Sequence, residues 1–412
     1  MRDMREIKPT KSAYMLITFI SASYMSLWIS VGTLIDYYNV RYGPLFFLFL
    51  NTSFYAPGLP ISILQHRLDQ IYDQYYGAST TWFFRVVGSM FILLICSLLL
   101  PHTSEPREIA GIVLLVGVST WTAHGTLTTI TSLYPTRAVG YLQFGFQVPN
   151  VFVLALVAGL GMYGISSADI VGYVEGRAGG FSLLGVGGEM SRLERFYGAT
   201  TLVAPLLPKN PSSISSSSSR SFDEGLEREV LASISLHRRV LFFTIFASIF
   251  SGSLFANIPR EDGYDGVDLG QILYFTRLFA DLGGRVVTWL PRKYLISSIS
   301  GLYYVMVVRL LLLVVFVAYI FFPPSLRSDV GITSLVALCA FQSGYNAVLV
   351  YELVGKEVGG GAGGGGKDQR CKAKAMATRA LNMSFQYACA GACVCNLMAA
   401  AVAVAMDKHV QD

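Results

Sequence analysis

The sequence predicts an all-α, polytopic membrane protein with about eleven transmembrane helices, six followed by five. Three observations support this fold class. Of 412 residues, 53% are hydrophobic and only 14% are charged, and the mean hydropathy of +0.51 is far above that of soluble domains. Apolar runs of about 20 residues, the length that crosses a bilayer, recur along the chain. Basic residues lie in the loops between these runs, so positive-inside topology explains the net charge of +5 without a nucleic-acid partner.

The first part of the chain contains five runs long enough to cross a membrane. Asp36 and two tyrosines follow the first run instead of a small-residue cleavage site, so we expect a membrane helix and no cleaved signal peptide. We assign residues 1–164 to an N-terminal transmembrane bundle of helices 1–5. The predicted spans are 12–35, 42–64, 82–100, 109–133 and 141–162.

Residues 165–239 form a Gly/Ser-rich irregular segment that separates the two halves. Its Ser-rich part is expected to be a disordered cytosolic loop. A weak sixth span near 196–207 is short and contains Pro205. Loop charge favours this crossing, because it places the basic clusters at 238–239 and 367–374 in the cytosol and the acidic loop at 261–268 outside.

The last part of the chain contains five further apolar runs. We assign residues 240–406 to a C-terminal transmembrane bundle of helices 7–11, which gives an integral, multi-pass protein. The predicted spans are 240–258, 270–290, 295–322, 331–352 and 375–406.

A stripe of charge crosses the second of these runs. Arg277, Asp281 and Arg285 are spaced four apart, so they share one face of a helix. A charged side chain at the bilayer centre costs roughly 2.5–3.5 kcal/mol on insertion scales, so such residues face a paired or hydrated interior. The stripe therefore indicates a polar pathway through the membrane.

Other polar residues lie within the spans of the first half. The segment from His124 to Thr131 and the residues Gln143, Gln147 and Asn150 give two neighbouring helices a polar side. Two interpretations stay open, because such residues either join helices by hydrogen bonds or line a cavity. Trp28 lies in the middle of the first span, with Gly32 one turn on, where an indole can stack on a flat ligand ring.

Motifs typical of other chemistry lack their required context. The Gly-rich run ending at Lys367 has Asp368 where a phosphate-binding loop has Ser or Thr, and no strand precedes it. His102 and His124 have no acidic neighbours at metal-ligand spacing. The six cysteines show no zinc or disulfide pattern. We therefore expect no metal, no cofactor and no enzymatic activity.

Several segments together resemble the equilibrative nucleoside transporter family. The most specific is Asp281-x-x-Gly284-Arg285 followed by Thr288, which is similar to the family's helix-eight signature. In the first half, Trp28 with Thr33 and Asp36-Tyr37-Tyr38 matches helix one, and Arg85 to Gly88 matches helix three. His124-Gly125, Tyr134-Pro135 and Gly145 match helices four and five. In the second half, Val308 to Leu310 matches helix nine and Phe341 to Tyr345 matches helix ten.

This resemblance implies eleven helices in a major-facilitator-like fold that moves nucleosides or nucleobases by alternating access. It also implies a small-molecule substrate, a lipid bilayer as surroundings, and the plasma membrane ahead of an intracellular membrane as the location. Carried over to this chain, the substrate contacts are Trp28, Asp281 and Arg285. To these we add Gly32 and Gln147 as predicted substrate-binding positions, and His124, Gly145 and Arg277 as accessory positions.

The chain departs from the family pattern at two positions. Ile29 replaces the Asn that follows the helix-one Trp, and Phe146 occupies the place of a Gln, with Gln147 one residue later. Arg277 lies outside the pattern, and we expect it to pair with Asp281 one turn away. Two cations would keep Asp281 charged and make it a poor proton carrier, which favours facilitated transport, with Glu352 as an alternative site of proton coupling.

Two other functions compete with this interpretation. The first is transport of another small solute, such as a sugar, cation or drug, by the same fold. The second is a divergent membrane protein that transports nothing.

Overall fold

In the computed structural model, residues 11–132, 134, 137–153, 155, 217–258, 269–361 and 367–411 are described. Within these ranges every regular element is a helix. The first half contains α1 (Lys11–Thr33), α2 (Ile35–Tyr42), α3 (Pro44–Tyr55), α4 (Gly58–Tyr76), α5 (Ala78–Leu99), α6 (Pro106–Ser132) and α7 (Arg137–Gly145). The rest contains α8 (Ser217–Ser233), α9 (Ser235–Ser253), α10 (Leu269–Val287), α11 (Ile299–Ile320), α12 (Asp329–Gly361) and α13 (Lys367–Gln411). Short 3₁₀ turns lie at Leu100–His102, Phe255–Asn257, Arg292–Tyr294 and Pro324–Leu326.

Local sequence explains where several helices begin. Pro44 opens α3 directly after Gly43, whose φ of 88° suits glycine. Pro106 opens α6, with Glu108 in the first turn where the helix dipole favours a negative charge. The hydroxyl of Ser298 caps α11 by accepting a hydrogen bond from the Gly301 N–H at 3.2 Å.

Seven spans in the described part of the chain are long and apolar enough to cross a membrane, and a bent pair formed by α8 and α9 would make eight. The seven spans are Lys11–Thr33, Leu45–Leu68, Thr80–His102, Pro106–Thr131, Ile299–Ile320, Asp329–Val358 and Ala373–Ala401. They coincide with predicted spans one to four and nine to eleven. The prediction of an all-α membrane protein is therefore confirmed.

The predicted second span has a break in the middle. It consists of α3 and α4, which meet at Ala56 and Pro57. A proline has no N–H to donate to the preceding turn, and its ring disturbs the helix there. Leu45–Leu68 nevertheless passes as one crossing, so the break is a kink within a span.

The predicted eighth span corresponds to α10. It is not among the seven apolar spans, because it contains three charged residues. Its 19 residues would extend about 28 Å along a helix axis. Leu273, Asp281, Gly284 and Arg285 are all buried on it, so its polar stripe faces protein.

Two predicted spans are described in part or not at all. The fifth corresponds to α7, a turn at Phe146 and Gln147, and helical residues 148–153. The sixth span near 196–207 lies outside the described residues, as does the acidic loop at 261–268. The count of eleven helices and the boundaries of the two halves therefore stay predictions.

The sequence interpretation is wrong for the end of the linker. Residues 217–239 are helical and not irregular, because Leu226, Val230 and Ile234 recur every four residues and give α8 an apolar face. Val230 and Ile234 are buried in the core. The axis then bends by 56° between α8 and α9.

The helices form two groups that meet along a shared core. In the first group α5 packs on α6 and α1 packs on α7, whereas in the second α10 packs on α12 and α9 packs on α13. The two groups meet where α1 and α7 contact α10, where α7 contacts α12, and where α13 contacts α3, α4 and α6. A ligand bound between the groups would therefore contact both.

The outer surface carries large apolar side chains. Phe84, Tyr304, Leu311 and Val314 are each more than 60% exposed. Soluble monomers rarely expose extended apolar surface, whereas a lipid-facing surface requires it. The exposure therefore agrees with an integral membrane protein.

Candidate functional site

Asp281 and Arg285 form a buried ion pair on α10. Arg285 Nε donates to Asp281 Oδ2 at 2.8 Å, and their side chains are only about a tenth exposed. The spacing of four residues places both groups on one face of the helix. Each charge is therefore neutralised locally, and the pair buries no net charge.

This ion pair also links the two groups of helices. Arg285 Nη1 donates to the carbonyl oxygen of Gln143 at 2.6 Å and to its side-chain Oε1 at 2.8 Å. The Gln147 amide donates to Asp281 Oδ2, and Asn150 donates to the Gln147 amide oxygen. We call these five residues the polar bridge.

The polar bridge contains a buried acceptor, the side-chain oxygen of Asn150, that has no partner among the described residues. Asn150 is 2% exposed. A buried polar atom without a partner is costly, and such atoms often mark the place of a ligand or a water molecule. A ligand with O–H or N–H donors would satisfy this oxygen.

Chain geometry explains how the polar bridge forms. The end of α7 at Gly145 is followed by a turn in which the Gln147 N–H bonds to the Phe144 carbonyl at 2.9 Å. This turn brings Gln143, Gln147 and Asn150 to the side of the chain that faces α10. Their separations of four and three residues in the sequence are the signal that they share a face.

Two glycines bring α10 and α12 into backbone contact beneath the ion pair. A methyl group at Gly284 would lie 2.1 Å from the carbonyl oxygen of Phe341. One at Gly344 would lie 2.0 Å from the carbonyl oxygen of Asp281. Small residues allow membrane helices to approach this closely. Gly284 and Gly344 therefore position Asp281 and Arg285 by allowing α10 and α12 to pack closely.

Trp28 lies in a stack of aromatic rings. Its ring is parallel to that of Phe54, with 4.2 Å between centroids and 4° between planes. The ring of Phe47 is also nearly parallel to the indole, at 6.4 Å and 13°. Trp28 is 6% exposed, so the indole is held mainly by protein. The sequence gives no signal that Phe47 and Phe54 belong to this stack, because phenylalanine is common in membrane spans.

Ring contacts connect this stack to the polar bridge through Trp121 and His124. The ring centroids lie 5.6 Å apart for Phe54 and Trp121, 5.7 Å for Trp121 and His124, and 4.8 Å for His124 and Phe146. Phe146 directly precedes Gln147, which bonds to Asp281. The aromatic and the polar parts of the predicted site are therefore neighbours in one buried region.

Gly32 and Gly145 are packing positions in the structure. A methyl group at Gly32 would lie 1.9 Å from the hydroxyl oxygen of Tyr274, so α1 and α10 touch there. One at Gly145 would lie 2.4 Å from the carbonyl oxygen of Thr18 and closer still to Ser21. Both glycines bring helices together, and neither has a side chain that could bind a ligand.

His124 is fully buried in an aromatic environment. Its Nδ1 lies 3.2 Å from the Tyr24 hydroxyl, and its ring lies 4.8 Å from that of Phe146 and 5.7 Å from that of Phe385. Tyr24 joins it to α1. It is thus an interior hydrogen-bonded group that supports the wall of the site.

The expectation that Arg277 pairs with Asp281 is wrong. Among the described residues the ion-pair partner of Asp281 is Arg285. Arg277 instead points to α9, where its Nη1 occupies the space that a methyl group at Gly252 would need. The Asp281 carboxylate instead accepts from Arg285 and from Gln147, in the turn after α7. Glu352, the alternative proton site, is half-buried on α12.

Comparison with family models and with curated proteins gives no match for this sequence. Solved structures match its fold. A bacterial homologue of the human lysosomal transporter Spinster, inward-facing and unoccupied, is 15% identical with a TM-score of 0.50, covering 98% of this chain and 86% of that chain. A point mutant of the nucleoside transporter NupG is 13% identical with a TM-score of 0.50, covering 93% of this chain and 90% of that chain.

The chain therefore shares the fold of these solved structures, a major-facilitator-like helical bundle. The predicted fold class is therefore confirmed, together with its integral, multi-pass character. At 13–15% identity the likeness extends to the fold and not to the substrate.

Proposed function

We propose that this protein transports nucleosides or nucleobases across a membrane by alternating access. The observation that carries the proposal is the polar bridge, because it places a carboxylate, a guanidinium and an open amide oxygen at the buried contact between the two groups of helices. Transporters of this kind bind substrate near the midplane, where two groups of helices meet.

The chemistry of the region suits a nucleoside. Carboxylate and amide oxygens of Asp281 and Asn150 can accept hydrogen bonds from ribose hydroxyls, and the guanidinium of Arg285 can donate to base or sugar oxygens. The Trp28 indole, which is held in place by stacking on Phe54, offers a flat ring to a base once the site opens. The resemblance of the Asp281-to-Thr288 segment to equilibrative nucleoside transporters supports the same substrate class.

Substrate entry requires the polar bridge to open. The Gln147 amide occupies one oxygen of Asp281, and a ribose hydroxyl would take its place. Exchanging one donor for another costs little, because the carboxylate stays hydrogen-bonded throughout. We propose that this exchange couples substrate binding to the rocking of the two groups of helices.

Facilitated transport fits the polar bridge better than proton coupling. Asp281 accepts hydrogen bonds from Arg285 and from the Gln147 amide, so both donors already occupy this carboxylate. The same fold could carry another small polar solute, so competition by sugars and organic cations belongs in the test.

Uptake of radiolabelled adenosine and uridine in transporter-deficient cells tests the proposal. We expect saturable uptake that Asp281→Asn reduces to the level of empty-vector cells with normal surface expression. Glu108→Gln is the matched control, since it makes a similar change at an exposed position in the first turn of α6. An uncoupler should leave uptake unchanged. If neither nucleoside is taken up, the proposed substrate is wrong. If Asp281→Asn shows full uptake, the proposed site is wrong.

A further inference from the structure

A second polar region lies inside the C-terminal helices, in a narrow cleft with a free volume of about 20 Å³. It is bounded by α9, α10, α11 and α12, and its polar lining consists of Ser248, Ser251, Arg277, Arg309 and Cys339. Asp281 and Arg285 do not line it. The cleft is therefore separate from the polar bridge.

Arg309 is the most unusual group in this cleft. It is 2% exposed on α11, and its Nε and Nη1 have no hydrogen-bond partner among the described residues. A buried guanidinium without an acceptor is strongly unfavourable, because water is lost and nothing replaces it. An acceptor that binds in the cleft would remove this penalty.

Arg277 brings a second guanidinium to the same cleft. It reaches past Gly252, whose missing side chain leaves the space that its Nη1 occupies. In the part of the chain that the structure describes, Asp281 makes its ion pair with Arg285, and neither arginine of the cleft takes part in an ion pair. Two positive charges thus face one buried space that no described carboxylate lines.

We propose that this cleft binds a small monovalent anion, either chloride or a short carboxylate. The two guanidinium groups supply charge and forked N–H donors. Ser248 and Ser251 supply hydroxyls beside them. Apolar side chains make the remaining walls, which disfavours a strongly hydrated divalent anion such as sulfate. These side chains are Phe255, Leu313, Phe316 and Val336.

A bound anion would join α9, α10, α11 and α12 through one charged centre. Because a bound anion would offset one of the two positive charges and accept hydrogen bonds from the guanidinium groups, occupancy should raise the stability of these helices. The effect requires no nucleoside. Its success or failure is therefore distinguishable from that of the transport proposal.

Thermal unfolding of the purified full-length protein in detergent tests the site. Chloride or acetate is titrated against gluconate at constant ionic strength, with a sulfate series in parallel. We expect the apparent Tm to rise saturably by a few degrees with chloride or acetate and little with sulfate. An equal rise with all salts, or no rise, would overturn the proposal, because stabilisation by salt in general needs no site.

Substitutions assign the effect to the cleft. Arg277 is half-buried, so Arg277→Gln should fold, and we expect it to raise the anion concentration at half-effect by about tenfold or more. Arg309→Gln should abolish the response while raising the Tm measured in gluconate, since it removes an unpaired buried charge. Arg41→Gln, at an exposed arginine outside the spans, is the control that should respond as the wild type does. An unchanged response in Arg277→Gln would overturn the site.

Discussion

The amide of Gln147 donates a hydrogen bond to the carboxylate of Asp281, and this contact joins the turn after α7 to α10. The two residues are 134 positions apart in the sequence. Their bond places Asp281 and Arg285 at the contact between the two groups of helices, whereas Arg277 of the same stripe faces α9. A movement of one group against the other must break or exchange it.

We expect a double-mutant cycle to detect this bond. Gln147→Ala and Asp281→Asn should be non-additive by about 1.5–3 kcal/mol, the usual range for a hydrogen bond to a charged group. The measurement is thermal or denaturant unfolding of the purified single and double variants. Pairing Gln147→Ala with Glu108→Gln should give additive effects, because Glu108 lies exposed on α6. Additivity in both cycles would show that the bond is absent.

Replacement of Arg285 by lysine should strongly reduce transport while leaving the protein folded. Lysine keeps the positive charge beside Asp281, but a single ammonium cannot reproduce the fork that reaches both Asp281 and Gln143. Nucleoside uptake should fall at least about tenfold with normal surface expression, since one charge-assisted contact of this kind is worth that much. Arg41→Lys provides the control at an exposed arginine. Normal uptake by Arg285→Lys would mean that charge alone suffices.

Neighbouring glycines on α10 should differ sharply in their tolerance of alanine. Gly284→Ala brings a methyl group against the backbone of Phe341 and should destabilise the protein by about 1–3 kcal/mol. Gly283→Ala meets only the Phe341 ring at 3.8 Å and should be neutral or slightly stabilising, as alanine favours helices. Unfolding midpoints of the two variants check this. Equal effects would contradict the close approach of α10 and α12.

Trp28→Phe should preserve folding and weaken nucleoside binding. A phenyl ring still stacks on Phe54 but offers a smaller surface to a base. We expect the KM for adenosine to rise by a few-fold to about tenfold, consistent with an aromatic contact of about 0.5–1.5 kcal/mol. Trp289→Phe, at a half-exposed tryptophan, should leave KM unchanged. An equal change in the KM for adenosine in both variants would show that Trp28 does not contribute to substrate binding.

Much of the fold is determined by local sequence. Hydropathy and run length locate most of the spans, because crossing a bilayer imposes a minimum length that any single helix must satisfy on its own. The error in assigning the described segments concerns α8, whose apolar spacing at Leu226, Val230 and Ile234 is masked by a serine-rich composition. The helical period likewise places Arg277, Asp281 and Arg285 on one face before any partner is known.

Tertiary structure alone decides which partner each polar group takes. Helical spacing permits Asp281 to pair with either arginine, and only the position of Gln143, 142 residues from Arg285, selects one of them. The same applies to Gly145, which the sequence presents as a site position and which contacts Thr18 and Ser21 of α1. The physical reason is range: hydropathy and helical period act within one segment, whereas hydrogen bonds, ring stacking and close backbone approach depend on residues brought together from distant segments.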